Sequence, residues 1–78
     1  MKTHKIYTGE TYGVILKSRE TTFGTEYITH EFRADDPMNC YWGHYFMNYA
    51  EANKDFFKRL LDIAGITPYD LIEKTTED

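Results

Sequence analysis

Cysteine occurs once, at Cys40, so no disulfide can close within the chain and a stapled, secreted scaffold is excluded. A reducing cytoplasm is the expected setting. The chain is also poor in breakers, with two prolines and five singly placed glycines. None of the glycines forms the strand-to-helix phosphate cradle of nucleotide-binding proteins. There is no linker, repeat or low-complexity tract. No apolar run approaches the roughly 20 residues that cross a bilayer, and Met1-Lys2-Thr3-His4 leads into no apolar segment, so neither an anchor nor a signal peptide is expected. Basic residues are outnumbered nine to thirteen, giving a formal charge of −4. That balance opposes nonspecific binding to nucleic acid or anionic membranes, yet it is too mild for a DNA mimic.

What the chain has in quantity is aromatic surface: seven tyrosines, five phenylalanines and Trp42. Large rings bury much area from few residues, which suits a single 78-residue domain whose core is marginal in size. The organising stretch runs from Cys40 to Ile66. Asn48 followed by Glu51 is a capping-box pattern, so a helix is expected over 49–64. Helical periodicity gathers Tyr49, Ala52, Phe56, Phe57, Leu60, Leu61, Ile63 and Ala64 on one side, and Glu51, Lys54, Asp55, Lys58, Arg59 and Asp62 on the other. Asn53 is the polar residue within the apolar arc, suited to satisfying a buried backbone group or a tyrosine hydroxyl. Gly65 supplies the left-handed residue that ends such a helix, with Ile66 folding back on Leu61. Thr67-Pro68-Tyr69-Asp70 then starts a short second helix over 68–74, and 75–78 should fray.

Upstream, alternation predicts strands over 12–19, 25–34 and 40–46, with a minor edge strand at Lys5-Ile6-Tyr7 as the fourth. Turns are expected at 20–25, around Gly24, and at 35–39, around Pro37. The fold class is therefore α+β, a three- or four-stranded antiparallel meander with an amphipathic helix across one face. Val14, Leu16, Ile28, Phe32, Trp42 and Phe46 are expected under that helix. A one-residue slip of the third strand would exchange Trp42 and Phe46 for Tyr41 and Tyr45.

On that register the uncovered face presents Tyr27, Tyr41 and Tyr45 among Lys17, Arg19, Glu31 and Arg33, beside the acidic turn of Asp35 and Asp36. Tyrosine and arginine concentrate at the energetic centres of interfaces, so Tyr27, Glu31, Arg33, Asp35, Asp36, Tyr41 and Tyr45 form the candidate partner-binding set. The plainer reading is that tyrosines half-cover a solvated sheet. A nucleic-acid stacking platform uses similar rings, but the three basic residues of this face and the acidic net charge argue against it. Cys40 and His44 fall on one strand face with Trp42 between them. No close Cys or His pair marks a metal site, and no activating surroundings mark the thiol as a nucleophile. No catalytic residue, metal ligand or cofactor is assigned.

Gly43-His44-Tyr45-Phe46, followed by Tyr49-Ala50-Glu51-Ala52, Asp55-Phe56 and Arg59, resembles small accessory proteins of phages and bacterial mobile elements. The resemblance covers about a third of the chain. It implies a compact cytoplasmic protein of the kind that includes inhibitors of host defence, anti-CRISPR proteins among them, which occupy the surface of a host protein or complex. A homodimer through the open face or an unpaired strand edge is the alternative use of the same surface.

Overall fold

The computed structural model describes residues 1–65, which form four strands and one helix: β1 (Lys2–Thr8), β2 (Tyr12–Thr21), β3 (Gly24–Arg33), β4 (Asp36–Phe46) and α1 (Tyr49–Ala64). The strands make one antiparallel sheet in chain order, leaving β1 and β4 as its edges. The expected α+β class holds, with the edge strand longer than the three residues assigned to it. The expected helix over 68–74 lies outside the described residues.

α1 begins and ends where its caps require. Asn48 is extended and its side chain accepts from the Glu51 N–H at 3.1 Å. Gly65, at φ 66°, turns the chain left-handed, and its N–H reaches the carbonyls of Leu60 and Leu61. The buried face of the helix is Ala52, Phe56 and Leu60, packed on Val14 and Leu16 of β2, with Tyr7, Tyr27, Phe46, Phe57 and Ile63 around them. Each such aliphatic or aromatic side chain withdrawn from water stabilises the fold by about 1.5–3 kcal/mol. Asn53 binds β1, accepting from Lys5 Nζ at 2.6 Å, and the same ammonium lies over the Phe57 ring.

The β2–β3 hairpin corrects the expected core. Its loop is Thr22 and Phe23, and the Thr21 hydroxyl both accepts from the Phe23 N–H and donates to the Gly24 carbonyl. From Thr21↔Gly24 the pairing runs unbroken to Tyr12↔Arg33, which places Val14 opposite Glu31 and Leu16 opposite Thr29. Tyr27, Thr29 and Glu31 therefore face α1. Ile28 and Phe32, expected under the helix, lie on the far side of the sheet opposite Lys17 and Gly13. They are nonetheless 2 % and 1 % exposed. Phe32 is buried by lying against its neighbour strand: a Cβ on Gly13 would stand 2.2 Å from the ring Cζ.

β4 departs furthest from simple alternation. It starts at Asp36 rather than at 40, and the pairing jumps from Arg33↔Asp36 to Phe32↔Cys40, so Pro37, Met38 and Asn39 are unpaired excess. Proline is tolerated there because β4 is an edge. A second irregularity sets His30 opposite both Trp42 and Gly43, and Trp42 takes φ 53°. This bulge changes the strand's phase. Tyr41 and His44, three residues apart, both face α1, opposite Glu31 and Thr29, whereas Cys40 and Tyr45 face away. Trp42, expected under the helix, is 71 % exposed.

The helix is also rotated from the expected division. Asp55 and Arg59, assigned to the water side, turn toward β3 and β4, and Leu61, assigned to the core, is exposed. The interface thus combines an apolar centre on β2 with a polar cluster of Asp55 and Arg59 against Thr29 and Glu31 of β3 and against β4.

Candidate functional site

Arg59 is the centre of the polar half, 5 % exposed between α1 and the sheet. Its Nε donates to Thr29 Oγ1 and Asp55 Oδ2, both at 3.1 Å, its Nη1 to Glu31 Oε2 at 2.7 Å, and its Nη2 to the carbonyl of Trp42. Asp55 Oδ2 also accepts from Thr29 Oγ1 at 2.6 Å and lies 2.9 Å from His44 Nδ1. Burial pushes the Asp55 carboxyl up, but the donors Thr29, His44 and Arg59 outweigh it and hold the group below its ordinary value. One buried guanidinium therefore ties two strands, a helix and a strained backbone carbonyl together.

That last contact fixes the bulge. A non-glycine residue at φ 53° costs on the order of 1–3 kcal/mol, and the Arg59 hydrogen bond offsets part of it. The outcome is an indole displayed to solvent with the Tyr41 ring packed edge-on at 5.1 Å. Tyr12, Glu31, Tyr41, Trp42 and Ile63 enclose a cleft of about 220 Å³. Glu31 is the acidic residue of its lining. Burial, Tyr12 and Glu31 raise the Tyr41 hydroxyl above its ordinary value. Arg33, the β3 partner of Tyr12, holds its guanidinium 6.0 Å from the Tyr12 centroid and is bound to Asp35 at 3.1 and 3.2 Å.

The seven residues expected to bind a partner do not share one surface. Glu31, Arg33, Asp35, Asp36 and Tyr41 gather at the β3–β4 hairpin end, where the structure adds Tyr12 and Trp42. Tyr27 is separated from them, packed between His4 and Tyr49 beside α1. Tyr45 lies on the far face, edge-on to His30. Thr29, His44, Asp55 and Arg59 form a unit that was not expected from the sequence. A signal existed: Asp55 and Arg59 stand four apart beside Phe56 and Leu60, on the flank of the buried stripe.

Cys40 and His44, expected on one face, are on opposite faces because of the bulge, and the thiol donates to the Pro37 carbonyl at 3.8 Å. On the far face, the His30 ring lies over Gly43, and its buried Nδ1 has no partner among the described residues. Burial first, then Lys17 and Arg59, lower its pKa from 6.5. Among the described residues no group of three or more His, Cys, Asp or Glu is placed to hold a metal ion, and no helix is long and apolar enough to cross a membrane. No protein family, curated protein or solved structure matches the chain.

Proposed function

We propose that the chain is a non-enzymatic protein-binding module that acts by occupying the surface of a host protein in the cytoplasm, as phage and mobile-element inhibitors of host defence do. The observation that carries this reading is Trp42. A strained backbone and an exposed indole are both unfavourable for the isolated fold, and the pair stands at the point where Tyr12, Tyr41 and the acidic hairpin of Asp35 and Asp36 converge. Exposed tryptophan and tyrosine beside charged groups are what interface hot spots require. The interface is thus centred on the β3–β4 hairpin rather than on a continuous tyrosine sheet.

The test is retention of a bacterial partner by the tagged protein, with and without nuclease, for the wild type and for Trp42→Gly and Tyr41→Ala. Stoichiometric, nuclease-resistant retention that both folded variants lose is the expected result. Retention unchanged in both variants removes the hairpin as the interface, and retention abolished by nuclease transfers the function to nucleic acid.

A further inference from the structure

We infer that the cleft between Tyr12, Tyr41 and Trp42 receives an arginine side chain of the bound protein, with Glu31 as its anion. This deepens the protein-binding reading and rests on it. Three rings, Ile63 and the carboxylate-bearing Glu31 line a cleft of about 220 Å³ that is open at the surface. Ring faces attract cations through their quadrupole, most strongly that of tryptophan.

The local charge has the matching sign. Around the cleft and the network behind it stand four carboxylates, Glu31, Asp35, Asp36 and Asp55, against two guanidinium groups, Arg33 and Arg59. Arg33 is engaged by Asp35, and Arg59 is shared among Glu31, Asp55 and Trp42. Glu31 gives Arg59 one oxygen, Oε2, while Oε1 has no hydrogen-bond partner among the described residues. A carboxylate with one oxygen left without a protein partner among the described residues, in the lining of an aromatic cleft, favours a cation that can stack and donate at once.

Arginine meets both conditions. Its guanidinium is planar and weakly hydrated, so it enters an open aromatic cleft at a smaller desolvation cost than a lysine ammonium, and its N–H groups can reach Oε1. A quaternary ammonium would fit the rings but has no proton for Glu31. The protein already carries one instance of the pairing, since Arg33 lies over the Tyr12 ring. Trp42, the single tryptophan of the chain, forms one wall and reports on the cleft directly.

The experiment is a titration of the ¹⁵N-labelled protein with three peptides, acetyl-Gly-Xaa-Gly-amide with Xaa arginine, citrulline or lysine, at about 150 mM salt to suppress diffuse attraction. The arginine peptide should produce saturable millimolar shifts at the Trp42 indole N–H, Tyr41 and Ile63. Citrulline, the neutral isostere, should bind about tenfold more weakly or less, and Trp42→Gly should weaken the arginine peptide by a similar factor. Equal binding of arginine and citrulline, equal binding of arginine and lysine, shifts centred elsewhere, or no saturable shift each overturns the assignment. If partner retention still depends on Trp42 when the peptide fails to bind, the protein-binding reading survives and only the arginine receptor is lost.

Discussion

At Trp42 two costs coincide, since the backbone sits at φ 53° and the indole is left in water. Glycine adopts this conformation without the Cβ penalty, so Trp42→Gly should raise the unfolding free energy by about 1 kcal/mol. For a domain of this size that is roughly 4–8 °C in thermal midpoint, measurable by circular dichroism. A drop in midpoint would show that the indole contributes more packing than its exposure suggests. Arg59 should behave in the opposite way. Replacing it by leucine strands Asp55 and Glu31 without their common donor, and breaking a buried ion network from one side costs about 3–5 kcal/mol. Against a total of roughly 4–12 kcal/mol for 78 residues, Arg59→Leu should be largely unfolded at modest urea. The triple variant Arg59→Leu, Asp55→Leu, Glu31→Leu should recover much of the loss, because it removes the stranded charges as well. Equal loss in the single and triple variants would contradict the network's role.

At the scale of elements, the ends of α1 were legible because capping is local chemistry. Asn48 and Gly65 act through groups within five residues of themselves. Asn48→Ala should accordingly cost about 1 kcal/mol in urea unfolding, with little change in the unfolding slope. The hairpins were legible as hairpins but not in phase. β3 carries apolar residues on both faces, Tyr27 on one and Ile28 and Phe32 on the other, so hydrophobicity could not say which face meets α1. The two-residue loop at Thr22-Phe23 decides it. Nor could alternation reveal the bulge in β4, where a single backbone conformation at Trp42 puts Cys40 and His44 on opposite faces. Asp55 and Arg59 were read as solvated because charge is a sound guide to exposure only until a sheet offers matching partners, here Thr29 and Glu31. Gly13 tests the corrected register. A methyl group there meets Phe32 Cζ at 2.2 Å and the Tyr7 carbonyl at 2.6 Å, so Gly13→Ala should destabilise by about 1–3 kcal/mol. Were Phe32 under the helix instead, the substitution would be nearly silent.

Over the whole molecule, the two faces of the sheet answer acid in separate pH windows. His30, on the far face among Lys17, Gly43 and Tyr45, has a folded pKa below 6.5, set by burial and by the charges of Lys17 and Arg59. Its unfolded form therefore binds protons more readily. The linked contribution to stability is complete above pH 6.5 and declines as pH falls through 6.5 toward the folded value. Asp55, on the helix side among Thr29, His44 and Arg59, has a folded pKa below 3.8. What it contributes is complete above 3.8 and disappears as pH falls through its lowered value. The urea midpoint of the wild type should thus step down first below pH 6.5 and again below 3.8. His30→Gln should flatten the first step relative to wild type and preserve the second. Asp55→Asn should start from a lower midpoint at neutral pH and show a smaller second step, to which Asp35 beside Arg33 still contributes. A His30→Gln profile parallel to wild type across the first window would mean that the imidazole is protonated as easily in the folded sheet as in the unfolded chain. The buried Nδ1 would then have to be reached by water.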